Sequence, residues 1–265
     1  MGRAARASAL AVLSLLLVAT GGGARAPAAG ALAYAAVGDS YSSGTGSGGE
    51  DGTACRRSAN SYAAVFAKTS SGRYTLTDFA ACTGATIASL EQSQLAALGP
   101  AGLVTVTIGG NDARFGEIVT HCLWPGAGCR KDYPDEDQRI DSLAGPLHRV
   151  YGEIVAAAPA AQLLVLTYPQ ILRPRGTCQS TWTLTPDDVD WFRSEYARMN
   201  AVIRRAAQGV PRTQVVDVEN AFAGHELCTA QEWAFGGRWN DPYSSFHPNP
   251  LGHASIASFL RAATG

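Results

Sequence analysis

The sequence predicts a single α/β domain, a three-layer sandwich with a five-stranded parallel sheet between helices. Three observations point there. Short apolar runs, partly β-branched, alternate with longer amphipathic stretches along most of the 265 residues. The apolar runs are continuous rather than polar at every second position, as strands buried on both faces require. No linker-like segment divides the chain, so the units share one core.

Composition narrows the class. Hydrophobic residues make up 46% of the chain and charged residues 16%, against about 25% charged in an average globular protein. This excludes a disordered or highly charged tail protein. The formal net charge is −1 and no basic run of five or more occurs, so nucleic acid is not an expected partner.

The first 26 residues stand apart from the fold. Arg3 and Arg6 precede an apolar run from Ala9 to Ala19, and small residues follow to Ala24-Arg25-Ala26. A basic start, a short apolar stretch and an A-x-A site make a secretory signal peptide. Cleavage is expected after Ala26, or as late as Ala29, leaving a mature chain of 27–265. The apolar run is shorter than the ~20 residues a membrane span needs. The product is expected to be secreted, extracellular and monomeric, without stable membrane insertion. Its net charge becomes −4 once Arg3, Arg6 and Arg25 are removed.

Export changes how the six cysteines read. Cys55, Cys82, Cys122, Cys129, Cys178 and Cys228 are an even set in an oxidising compartment, which argues for three disulfides. Zinc is the rival, but no C-x2-C pair exists. Spacing alone leaves the pairing open; Cys122–Cys129 can staple the turn at Pro125-Gly126-Ala127-Gly128.

Strands are expected at Leu32–Val37, Tyr74–Phe79, Leu103–Ile108, Leu163–Thr167 and Gln214–Val218. Helical patterns fall near Tyr62–Lys68, Ile87–Leu98, Glu136–Ala157 and Pro186–Ala207. The last is the clearest. Thr185 suits the N-cap, Pro186 the first turn, and Asp187 and Asp188 the positive end of the dipole. Val189, Phe192, Tyr196, Met199 and Ile203 then recur at three- and four-residue steps as one apolar face. Five strands with helices between them suggest the flavodoxin-like doubly wound order, in which ligands bind beyond the carboxyl ends of the strands.

The residues at those ends carry the chemistry. Gly38-Asp39-Ser40-Tyr41-Ser42-Ser43-Gly44 follows the first strand, Ala81-Cys82-Thr83-Gly84-Ala85-Thr86 the second, and Gly109-Gly110-Asn111-Asp112 the third. Ser244-Ser245-Phe246-His247-Pro248-Asn249-Pro250-Leu251-Gly252-His253 lies near the C-terminus. A serine hydroxyl needs a base to become a nucleophile, and acyl transfer needs donors aimed at the developing oxyanion. Ser40 supplies the hydroxyl and His247 the base. The backbone N–H groups of Ser40 and Gly84, with the Asn111 amide, supply the oxyanion donors. Each block alone also reads as a plain turn or loop. Their joint appearance at strand ends is what argues for chemistry. The G-x-S-x-G elbow is absent around Ser40.

These blocks resemble the GDSL, or SGNH, hydrolase family, whose four letters fall on Ser40, Gly84, Asn111 and His247. The match runs from Gly38 to His253, with Tyr41 where the first block usually has Leu. The long first block, Ala-Cys-Thr-Gly-Ala-Thr, the His-Pro-Asn-x-x-Gly-His ending and the six cysteines are similar to secreted Streptomyces lipases and esterases. The resemblance implies the SGNH hydrolase fold and a serine esterase or lipase acting on fatty acyl esters, triacylglycerols included. It implies neither cofactor nor metal, and disulfides paired in order: Cys55–Cys82, Cys122–Cys129 and Cys178–Cys228.

One position departs from the family pattern. Asp usually stands three residues before the catalytic histidine; here it is Ser244. Two expectations follow. Either the Ser244 backbone carbonyl orients His247, or Asp241 folds in as a third member. Other residues read as structural. His253 belongs to a helix start; His121, His148 and His225 are surface or satisfied groups; Asp39 and Asp112 tie down their loops. Trp182, Trp191, Trp233 and Trp239 either line an acyl groove or pack in the core. Phospholipase A1 and polysaccharide acetyl esterase are alternatives within the same chemistry. An acyltransferase, or an inactive lipid- or carbohydrate-binding module, is the rival of another kind.

Overall fold

A computed structural model describes residues 1–2, 30–96, 98–124 and 126–265. Residues 3–26 of the expected signal peptide and both cleavage positions lie outside the described residues, as does Pro125. The strands are β1 (Leu32–Gly38), β2 (Tyr74–Phe79), β3 (Leu103–Thr107), β4 (Gln162–Leu166) and β5 (Thr213–Val216). They pair in parallel in the order β2-β1-β3-β4-β5. This is the flavodoxin-like order, with its switch point between β1 and β3.

The helices are α1 (Ser40–Ser43), α2 (Tyr62–Thr69), α3 (Ile87–Ser93), α4 (Phe115–Cys122), α5 (Cys129–Asp132), α6 (Glu136–Ser142), α7 (Ala144–Ala157), α8 (Pro186–Ala206) and α9 (Pro250–Thr264). Right-handed crossovers put α3, α7 and α8 on one face of the sheet, and α2, with α9 packed against it, on the other. The central strands β3 and β4 are buried almost throughout, whereas the edge strands β2 and β5 keep half-exposed positions.

Local chemistry explains the boundaries. The Thr185 hydroxyl accepts the Asp188 N–H, and the Asp188 carboxylate accepts the Thr185 N–H, a closed capping box for α8. The stretch 136–157 forms two helices, not one. Pro146 has no N–H, and its ring crowds the carbonyl four residues back, at Ser142, where α6 ends. Helix α3 stops at Ser93, short of Leu98, with Gln94 as its C-cap, turned inward. Its side chain accepts the Gly38 N–H at 2.7 Å and donates to the Gly38 carbonyl at 3.0 Å. The cysteines are joined as Cys55–Cys82, Cys122–Cys129 and Cys178–Cys228.

Candidate active site

The first strand delivers Ser40. At Gly38 the chain adopts φ +120°, and a Cβ there would lie 2.1 Å from the Thr107 carbonyl oxygen, so only glycine permits the turn. Asp39 caps α1, accepting the Tyr41 N–H at 3.0 Å, and Ser40 opens the helix. The Asp39 carboxylate also accepts the Thr107 hydroxyl at 3.0 Å and the Tyr168 hydroxyl. Burial pushes its pKa up to about 6, and these hydrogen bonds only partly offset that.

The last loop delivers His247. Its Nε2 is 2.7 Å from Ser40 Oγ, although 207 residues separate the two. Its Nδ1 is 2.9 Å from the Ser245 carbonyl. A carbonyl can only accept, so the proton sits on Nδ1 and Nε2 is free to accept the Ser40 hydroxyl. Desolvation lowers the pKa of the ring to about 4, against the raising effect of the Ser245 bond. The imidazole is therefore neutral at ordinary pH, as a general base must be.

The partner of the imidazole corrects the sequence reading. The Ser244 carbonyl does not receive the ring; it accepts the backbone N–H of His247 at 3.2 Å and closes a turn. Phe246, at φ +59°, reverses the chain there, and the next carbonyl, that of Ser245, faces Nδ1. Asp241 is not on the imidazole either. Its carboxylate accepts the Ser244 hydroxyl and lies 3.6 Å from Arg56.

The expected oxyanion donors meet at the same place. Gly84, at φ +75°, and Asn111 line the cleft with Ser40 and His247. Cys82 anchors the Gly84 segment by its bond to Cys55, and its N–H donates to the Gly38 carbonyl at 3.0 Å. Asn111 Nδ2 donates one hydrogen to the Ala85 carbonyl at 2.9 Å, leaving the other free. The N–H groups of Ser40 and Gly84 donate to no acceptor among the described residues. Asp112 accepts the Ile87 N–H at 3.1 Å and holds the start of α3.

The cleft holds about 420 Å³, within the usual size for small-molecule sites. Its apolar walls are Phe115, Val119, Tyr196, Tyr243 and Phe246. None of the four tryptophans singled out in the sequence lines it. Trp191 is buried, Trp233 stacks on His225 with ring centroids 3.7 Å apart, and Trp182 and Trp239 stand at the surface. The indoles are separated from the cleft because α4 and α8, through Phe115, Val119 and Tyr196, supply its lining instead. His253 is a buried structural group: its Nδ1 accepts the Tyr62 N–H at 3.1 Å. His121, His148 and His225 each have a partner, in Asp132, the Ala206 carbonyl and the Gln231 carbonyl.

Three supports escaped the sequence reading. Tyr168 accepts the Gly110 N–H at 3.0 Å and donates to Asp39, joining two strand-end loops. Gln94 clamps Gly38. Tyr41 donates to the Phe246 carbonyl at 2.8 Å, joining the serine helix to the histidine loop. A tyrosine just past a strand end was the only available signal for Tyr168. A glutamine on an amphipathic stretch carries none.

What the fold and the cleft define is an enzyme of one class, a carboxylic ester hydrolase. The chain belongs to the GDSL-like lipase/acylhydrolase family, whose profile matches residues 36–255. It is 34% identical to a lipase of Streptomyces rimosus over 95% of this chain and 94% of that protein. The crystal structure of the extracellular lipase from that organism superposes with a TM-score of 0.80 at 34% identity, covering 88% of this chain and all of that one. A phospholipase A1 from Streptomyces albidoflavus NA297 gives the same TM-score at 33% identity, over 88% of this chain and 99% of that chain.

Proposed function

We propose that the protein is a secreted lipase or esterase that cleaves fatty acyl esters through an acyl-enzyme on Ser40. The observation that carries this reading is the 2.7 Å contact between Ser40 and the unprotonated nitrogen of His247, beside amide donors and an apolar cleft. Ser40 Oγ attacks the ester carbonyl as Nε2 takes its proton. The Ser40 and Gly84 N–H groups and the Asn111 amide receive the negative charge on the carbonyl oxygen. His247 then protonates the leaving alcohol. Water, deprotonated by the same nitrogen, releases the acid and restores Ser40. The Ser245 carbonyl orients the ring in place of a carboxylate, making a dyad. Residues 1–26 are proposed to direct export; the similarity to an extracellular lipase supports this. Among the described residues no helix is long and apolar enough to cross a membrane.

Ser40→Ala is expected to keep the fold and to lower hydrolysis of a p-nitrophenyl ester by at least about three orders of magnitude. Retained turnover in the purified variant would refute the assignment. The second reading is a phospholipase A1, which the equal structural similarity to the Streptomyces albidoflavus enzyme favours. Mass spectrometry of products from a phosphatidylcholine with two different acyl chains separates them: a phospholipase A1 releases the acyl group of the first glycerol position at a rate comparable with triacylglycerol.

A further inference from the structure

Three tryptophans that the cleft does not use stand together at the surface. Trp124, Trp182 and Trp239 are 61%, 40% and 59% exposed. The Trp239 ring lies between the others, its centroid 5.8 Å from Trp124 and 5.5 Å from Trp182. They come from three separate segments, so the fold assembles the cluster.

Each segment is tethered to the rest of the fold. Trp124 follows Cys122, bonded to Cys129, and Trp182 follows Cys178, bonded to Cys228. Trp239 belongs to the segment paired with the histidine loop. There Phe235 donates to the His247 carbonyl at 2.9 Å, and the Arg238 N–H donates to Ser245 Oγ at 2.9 Å. Segments that carry two of the tryptophans also supply residues of the cleft. Tyr243, a few residues beyond Trp239, lines the cleft and is 67% exposed. Val119 and Thr120 line it on α4, the helix that leads to Trp124.

Large exposed apolar groups in one patch mark a binding surface. An indole has an apolar body and one polar N–H, which suits the boundary between lipid and water. The mature chain carries −4, so the protein as a whole offers an anionic membrane no net attraction, and Arg238, beside Trp239, stacks over Phe235 at 4.6 Å.

We propose that Trp124, Trp182 and Trp239 form a docking surface for a neutral or zwitterionic lipid–water interface, presenting the cleft to esters held there. This rests on the lipid-ester reading above. The test uses the full-length Ser40→Ala protein, which binds without consuming substrate, and vesicles of phosphatidylcholine. Sedimentation with the vesicles is expected, with little change from low to high salt. Replacing all three tryptophans by serine in that background should weaken partitioning at least about tenfold. With Ser40 intact, the triple variant should hydrolyse soluble p-nitrophenyl acetate at the wild-type rate but emulsified ester more slowly.

Each of these results would overturn the proposal: no partitioning of the parent, binding confined to anionic vesicles and abolished by salt, or indole fluorescence that responds to soluble oligosaccharides and not to vesicles. Undiminished partitioning of the triple variant would do the same. Should that variant lose soluble-ester activity through misfolding, brominated phosphatidylcholine decides on the parent protein. Quenching of its tryptophan emission supports docking and its absence contradicts it. Failure of the hydrolase reading shows elsewhere, as turnover retained by Ser40→Ala, so the two are distinguishable.

Discussion

The serine and the histidine face each other across the cleft, but the two sides are built differently. On the serine side, Asp39, Thr107, Tyr168 and Gln94 form a buried hydrogen-bonded lattice around Gly38 and Asp39. On the histidine side, mostly backbone bonds hold the loop, Phe235 pairing with both Phe246 and His247, while the ring itself has one orienting bond, to Ser245, and Tyr41 bonds the Phe246 carbonyl. A buried polar lattice is costly to break, because every remaining member is left without a partner. The histidine loop is held mainly by backbone bonds, which a side-chain change there leaves in place. Changes on the serine side should therefore act through stability, and changes on the histidine side through turnover.

Asp39→Ala should show the largest effect. It strands the Tyr41 N–H and the hydroxyls of Thr107 and Tyr168, at an expected cost of about 2–4 kcal/mol in denaturant unfolding. A loss below about 1 kcal/mol would show that the lattice is not what holds this side. Tyr41→Phe removes the link between the two sides. We expect kcat about tenfold lower with KM nearly unchanged, since the ring loses position rather than chemistry; an equal change in KM would argue for a binding role instead.

Acid separates the sides in another way. His247 is pushed to about 4 and stays a free base below its ordinary 6.5. The kcat/KM for a soluble ester should hold as pH falls through 6.5 and decline toward 4; a limb at or above 6.5 would contradict a desolvated base. Stability follows the sign of each shift. His253, pushed to about 3 by burial, is bound neutral. Its contribution is full above 6.5 and is lost as pH falls from 6.5 toward 3. Asp39 acts oppositely: with a folded value of about 6, its contribution is fullest below the unfolded value of about 3.9 and is lost as pH rises through 6. The smallest effect belongs to Asp241→Asn. Because this carboxylate serves Ser244 and Arg56 rather than the imidazole, kcat should stay within about threefold of wild type. A fall of about 10³ or more would instead make it a member of a triad.

Much of this was legible in the sequence, for a physical reason. Parallel strands buried on both faces must be apolar, and in such sheets the chemistry collects at strand ends; Ser40, Gly84 and Asn111 stand just beyond them. The rest depends on how side chains and turns meet in space. Whether the Ser244 or the Ser245 carbonyl faces His247 depends on one residue, Phe246, taking a left-handed conformation. The break at Ser142 was available in Pro146 but hidden by the surrounding helical pattern. Gln94 and Tyr168 sit on stretches that read as ordinary helix and strand end, and only the fold brings them to Gly38 and Asp39.

The most direct test is to label the nucleophile. A p-nitrophenyl phosphonate should lose p-nitrophenolate once per protein chain as Ser40 Oγ forms a bond to phosphorus, and peptide mapping should place the added mass on Ser40, with none in a His247→Ala variant over the same time. A label on any other residue, or no label in a protein that still hydrolyses esters, would contradict the Ser40–His247 pair.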